Sequence, residues 1–149
     1  MEEYFIVLND ERFDGDLKDL FDGNFSEAVV ISSIPFYDIF SLIVNRCHRI
    51  TLVLRKNMAT SIALLENEFK QQFEDGNVKV CFASVMQKIP NVVFLKGTSA
   101  DRVIRDYYNN AANSHDIIAY DSSHSKINKI VVSTYDEIVK KIIKKSKCS

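Results

Sequence analysis

The sequence predicts an α/β fold: a central, mostly parallel (mixed) sheet of about six to seven strands with helices on both faces. Three observations predict it. Short β-branched runs alternate with amphipathic stretches along the chain. Several of those runs are apolar almost throughout, the pattern of strands covered on both sides. The 149 residues, 46% hydrophobic and 26% charged, suffice for one core and not for two, so a single domain is expected over residues 1–149.

Taken in order, the expected strands are "YFIVL" (4–8), "AVVIS" (28–32), "ITLVL" (50–54), "VKVCF" (78–82), "VVFL" (92–95), "DIIAY" (116–120) and "KIVVS" (129–133). Val29, Val30, Ile31, Leu52, Val53, Val93 and Phe94 are the predicted sheet core. Between strands, Ser33 can cap a helix with Pro35 in its first turn and Phe36, Ile39, Phe40, Ile43 and Val44 on one stripe. Asn57 can cap "MATSIALLENEFKQQFE", which Gly76 ends. Thr98 with Asp101, and Thr134 with Glu137, have capping-box spacing and predict helices over about 99–112 and 135–147. In the last of these, Ile138, Val139, Ile142 and Ile143 make the buried face and lysines the other.

Composition excludes several function classes. With 4 Gly in the chain, the glycine-rich loops that cradle phosphates in P-loop and dinucleotide-binding proteins have no counterpart, and no cofactor is expected. Neither His48 nor His115 has a ligand-spaced partner, and the acids at Asp14, Asp16 and Asp19 lack the Gly and closing Glu of a calcium loop, so no metal is expected. Cys47, Cys81 and Cys148 are odd in number and lack short paired spacings; thiols in a reducing, cytoplasmic compartment are expected rather than a disulfide framework. No apolar run approaches the roughly 18 residues of a membrane span, so no membrane partner is expected.

The net charge of -1 conceals a polarity along the chain. Residues 1–27 hold nine acids against Arg12 and Lys18, whereas 138–149 holds Lys140, Lys141, Lys144, Lys145 and Lys147 with no acid. Such a basic helix can meet an anionic partner or offset the acidic start. In open parallel sheets ligands bind at the C-terminal strand ends. An anion-binding set is expected there: Ser32, Ser33, Lys56, Lys88, Lys96, Thr98 and Ser99.

The order "VVISSIPFYDIFSLIVNRCHRITLVL", then "GNVKV", "KIPNVVFLKGTSAD" and "HDIIAYDSS" before a final helix resembles the phospholipase D-like superfamily over residues 28 to about 147. The resemblance implies a mixed-sheet α/β fold and a phosphodiester chemistry in which a His attacks phosphorus, a Lys holds phosphoryl oxygens and a second His protonates the leaving group, often across a twofold-related subunit. That family's signature is His-x-Lys, four residues, Asp, and then a Gly-Ser-x-Asn segment. "GTSAD" (Gly97–Asp101) looks like the last part, but Met86-Gln87-Lys88 stands at the His-x-Lys position. Methionine cannot be the nucleophile, so the resemblance implies a domain lacking the catalytic His. The one His-x-Lys triplet, His124-Ser125-Lys126, falls after the last matched strand and reads as a turn.

The leading expectation is therefore a non-catalytic α/β module, a pseudoenzyme, binding a partner protein, a second copy or an anionic ligand. A phosphodiesterase or nuclease using His124 and Lys126 is the first alternative. A nucleic-acid binder using the basic C-terminal helix is the second, placed lower because no aromatics interleave its lysines.

Overall fold

The computed structural model describes residues 4–8, 20–31, 37–56, 59–84, 86–109, 111 and 114–148. Its strands are β1 (Tyr4–Leu8), β2 (Phe25–Ile31), β3 (Arg49–Arg55), β4 (Val78–Ala83), β5 (Asn91–Gly97), β6 (Arg102–Asn109), β7 (Ser114–Asp121) and a two-residue β8 (Lys147–Cys148). The helices among the described residues are α1 (Tyr37–Ile43), α2 (Ala59–Glu68), α3 (Lys70–Glu74) and α4 (Lys126–Lys145). They belong to an α/β fold around one mixed sheet, in the order β1-β7-β6-β5-β2-β3-β4-β8.

The sheet is less parallel than the sequence suggests. Only β2 with β3 and β3 with β4 run parallel. Pairs β1–β7, β2–β5, β5–β6, β6–β7 and β4–β8 are antiparallel. One part of the difference lies in the segment expected as a helix over 99–112. Among its described residues no helix forms: after a tight turn, "RVIRDYYN" becomes β6 and lies back antiparallel on β5. β-branched and aromatic side chains favour the pleated surface. Asp101 does not serve a capping box; its carboxylate accepts the Gly97 amide (3.1 Å) and closes the hairpin. Gly97 is needed in that turn, because a Cβ there would stand 2.5 Å from the Ala100 carbonyl oxygen and 2.7 Å from that of Asn24.

The second difference is at the C-terminal end. "KIVVS" is not a strand but part of α4, which starts at Lys126 with Ser125 as its N-cap, the Ser125 hydroxyl accepting the Asn128 amide at 3.1 Å. Thr134 therefore lies mid-helix, where its hydroxyl donates to the Ile130 carbonyl at 2.8 Å. Residues Asn128, Val132, Val139 and Ile142 recur at helical spacing and are buried. That periodicity prevails over the β-branched content of the run. The long helix expected after Asn57 is broken at Phe69 into α2 and α3. Gly76, with φ of 75°, supplies the left-handed residue that leads into β4. Ser33, Pro35, Phe36 and Asn57 lie outside the described residues.

Alternate strand residues divide between two hydrophobic clusters. One joins Ala28, Val30, Leu52, Val93 and Leu95 to Ile39, Phe40 and Ile43 of α1 and Ile62 and Leu65 of α2. The other joins Ile31, Val53, Val92, Phe94 and Val103 to Val132, Val139 and Ile142 of α4. Of the predicted sheet core, Val30, Ile31, Leu52, Val53, Val93 and Phe94 are buried, while Val29 is half-buried. No helix among the described residues is long and apolar enough to cross a membrane. The expectation of three thiols is corrected: Cys81 and Cys148 form a disulfide between β4 and β8, leaving Cys47 free and buried. Burial pushes the Cys47 thiol up to about 11 against the opposing pull of Arg46, which keeps it protonated and unreactive.

Candidate anion-binding hollow at one end of the sheet

Because β5 runs antiparallel to β2, the expected anion-binding residues are split between the two ends of the sheet. The C-terminal end of β5 lies beside the start of β2, where Gly97 pairs with Phe25. Lys96, Thr98 and Ser99, all exposed, are therefore at that end. Lys56, following β3, and Lys88, preceding β5, belong to the opposite end. Ser32 and Ser33 lie outside the described residues. The seven residues of β5 put about 20 Å between the two groups. The same distance separates Met86-Gln87-Lys88 from Gly97–Asp101, so the two segments carrying the phospholipase D-like signature do not converge. Met86 itself is 90% exposed.

The Gly97 end also receives the turn after β7, and its polar groups are occupied. Asp101 donates its amide to the Ser122 hydroxyl at 2.9 Å, and the Ser122 amide donates to the Asp101 carbonyl at 2.9 Å. Ser123 donates both its amide (3.0 Å) and its hydroxyl to the Asp121 carboxylate. Arg102 donates Nε to Asp121 at 3.1 Å and Nη1 to the carbonyls of Leu20 (2.8 Å) and Asp22 (2.7 Å), with its guanidinium 4.7 Å above the Phe25 ring. Burial alone would raise the Asp121 pKa, but the Ser123 and Arg102 donors outweigh it and hold the carboxyl below its usual range. Within this network His124 is exposed, closing a turn with its amide on the Asp121 carbonyl (3.1 Å), and Lys126 is the exposed first residue of α4.

At the other end the side chains leave a hollow of about 250 Å³ lined by Lys56, Phe82, Ala83, Ser84, Lys145 and Lys147. Parallel pairing in register, with Arg55 opposite Ala83, brings the C-terminal ends of β3 and β4 together and so places Lys56 beside Ser84. Arg55 holds the following loop by donating to the carbonyls of Ser84 (2.9 Å) and Gln87. Gln87 Nε2 in turn reaches the Ile142 carbonyl (3.3 Å), tying this loop to the last turns of α4. Lys145 ends α4, and Lys147 lies opposite Phe82 in the β4–β8 pairing, one position from the Cys81–Cys148 bond. Three lysines and Ser84 line it together with Phe82 and Ala83, with no acid among the six lining residues. From the sequence, Lys145 and Lys147 read only as members of a basic helix. Their approach to Lys56 depends on the β8 pairing, for which two residues give no pattern.

Chemically, this arrangement can hold phosphate or carboxylate oxygens by charge-assisted hydrogen bonds. Among the described residues no group of His, Cys, Asp and Glu is placed to hold a metal ion.

The class defined by these features is a mixed-sheet α/β fold, and comparisons with known proteins agree at that level. No family model and no curated protein matches the chain. Among solved structures, TrmBL2, an archaeal chromatin protein described as showing a novel mode of DNA binding, superposes with a TM-score of 0.60 at 15% identity over 96% of this chain and 53% of that one. A yeast tyrosyl-DNA phosphodiesterase superposes with a TM-score of 0.52 at 13% identity over 79% of this chain and 31% of that one. This second likeness supports the phospholipase D-like resemblance at the level of fold. The chain spans about half the length of the first neighbour and about a third of the second.

Proposed function

We propose that this chain is a nucleic-acid-binding module that holds the phosphate backbone at the lysine hollow and does not cleave it. The hollow is the observation that carries this reading: Lys56, Lys145 and Lys147 line it with Ser84, without an acid among the lining residues. Lysines in a final helical turn first offset the partial negative charge of the helix C-terminus, which Lys144 and Lys145 do here. Lys56 and Lys147 come from outside that helix and add charge beyond what the dipole requires. The DNA-binding chromatin protein and the DNA phosphodiesterase of similar fold support the same choice of ligand. This reverses the order set from the sequence, in which the partner-protein or anion-binding module stood first.

Non-cleavage rests on Met86 at the signature position and on the placement of His124 in a turn, and of Lys126 at the start of α4, where the neighbouring hydroxyls bond their own backbone and carboxylate. The layering, helices on both faces of the sheet, is part of the proposal and is supported by the two clusters that α1, α2 and α4 complete.

Fluorescence anisotropy with labelled duplex DNA across a salt series tests the reading. Replacing Lys56, Lys145 and Lys147 with glutamine is expected to weaken binding at least tenfold and to make the log–log salt slope shallower by about 0.9 for each phosphate no longer neutralised. The control Lys70→Gln, on α3, should change neither. An unchanged slope in the triple variant, or no binding at about 50 mM salt, a range where phosphate-backbone binding is strong, sinks the proposal.

A further inference from the structure

The Cys81–Cys148 disulfide joins two very different partners. Cys81 is fully buried in the cluster that α4 completes, whereas Cys148 is exposed, at the end of a two-residue strand. Little else holds that strand. Among the described residues β8 pairs with β4 at two positions, Phe82 with Lys147 and Cys81 with Cys148, and neither hydrophobic cluster reaches past Ile143. An exposed pairing so short belongs to the least stable part of a fold. The residue before it is held differently. Ser146 is fixed to the last turn of α4, donating its amide to the Ile143 carbonyl (3.0 Å) and its hydroxyl to the Ile142 carbonyl (2.7 Å). Ile142 is itself buried. Lys145 is thus held in the hollow by the helix, and Lys147 by the disulfide.

We propose that Cys81–Cys148 is a thiol–disulfide exchange site that controls the lysine hollow: reduction by a dithiol releases β8 and takes Lys147 away, and re-oxidation by an organic disulfide returns it. That this gates a nucleic acid rests on the reading above. A thiolate of the dithiol attacks the sulfur of Cys148, the exposed residue of the pair, forming a mixed disulfide and expelling Cys81 as a thiolate, which takes up a proton. The second thiol of the reagent then displaces Cys148 from the mixed disulfide. Two electrons pass to the protein, the two S–H protons of the dithiol end on Cys81 and Cys148, and the dithiol leaves as its own disulfide. Exchange with an organic disulfide runs the steps backwards. Solvent-exposed disulfides are the labile and regulatory ones, unlike those sealed in a core. Because Ser146 keeps the chain anchored two residues from Cys148, the free thiol stays near β4, and re-forming the bond closes only a short loop. Because the two clusters hold α1, α2 and α4 without β8, reduction leaves the rest of the fold in place and alters one of the three lysines.

Anisotropy with labelled duplex DNA compares the full chain before and after dithiothreitol, with thiol titration of the denatured protein confirming a rise from one free cysteine to three. Reduction is expected to make the log–log salt slope shallower by about 0.9 and to weaken binding about eightfold at about 0.1 M salt, the share of one phosphate contact. Oxidised Lys147→Gln should bind as weakly as the reduced wild type, and reduction should weaken it no further. NMR order parameters measured without DNA separate this proposal from the nucleic-acid reading. For the Lys147 and Cys148 amides they should fall from about 0.85 to below about 0.6 on reduction, while those of Val139 and Ile142 stay high. That pattern without DNA binding by either form supports the exchange step and sinks the nucleic-acid reading alone. Order at Lys147 and Cys148 that survives reduction, loss of order in α4, DNA binding indifferent to dithiothreitol, or a redox response retained by Lys147→Gln would each overturn the proposal.

Discussion

The two ends of the sheet use their described polar residues in opposite ways. At the Gly97 end, hydroxyls, amides and carboxylates bond one another, and a buried Arg102–Asp121 pair ties β6, β7 and the Leu20–Asp22 segment together. At the Lys56 end, three exposed lysines line one hollow without an acid among the lining residues. A serine-rich turn beside a helix start resembles a ligand site in sequence, yet its donors are consumed internally. The proposed binding rests instead on lysines drawn from two distant segments, Lys56 and Lys145 with Lys147.

The comparison breaks most visibly at the pair. Truncating Arg102 to alanine leaves Asp121 buried without its cationic partner, with only the Ser123 donors on its carboxylate, so a loss of about 3 kcal/mol is expected in urea unfolding. Its acid signature has a definite sign. The folded-state pKa of Asp121 is depressed, so the stabilisation it provides is present above its unfolded value near 3.9 and fades as pH falls through the lower folded value. Asp121→Asn should flatten that acid-side slope. If Arg102→Ala were as mild as a surface change, the tie between turns would not be what holds this end.

The Lys56 end should respond more to its covalent clasp than to its charges. Cys81 and Cys148 are 67 residues apart, a loop whose closure accounts for about 4 kcal/mol in the chain-entropy account. Cys148→Ser is expected to lose much of that in thermal unfolding, and to weaken DNA binding by freeing Lys147. Smallest of all should be His124→Ala. As an exposed turn residue it is expected to change stability by less than about 0.5 kcal/mol and to leave DNA binding intact. Loss of a phosphodiesterase activity on that substitution would turn the comparison around and make the Gly97 end the chemical one.

The sequence is most legible where side-chain patterns are local. Val30, Ile31, Leu52, Val53, Val93 and Phe94 are buried as their apolar runs imply. The errors fall where two patterns compete. "KIVVS" has the β-branched content of a strand, but Ser125 and the spacing of Asn128, Val132 and Val139 make it helix. "RVIRDYYN" follows a capping-box spacing, but Asp101 bonds to Gly97 and sends the chain into β6. Separately, β5 runs antiparallel to β2, which puts Lys96, Thr98 and Ser99 at the end of the sheet away from Lys56. The hollow is half legible. Lys56 is readable as the residue after a strand, whereas the return of Lys147 to it depends on a pairing 67 residues long and on a disulfide that the spacing of Cys81 and Cys148 does not suggest.

The clasp also decides which part of the molecule can feel mechanical tension. A force applied between the two chain ends passes through the Cys81–Cys148 bond and bypasses everything between, including β5, β6, β7 and α4. At about 3.4 Å per extended residue, roughly 230 Å of contour is withheld from stretching until the bond is reduced. The stretch Lys147–Cys148 is two residues long and pairs at two positions, yet it decides whether nearly half of the polypeptide behaves under tension as a string or as a knot of fixed size.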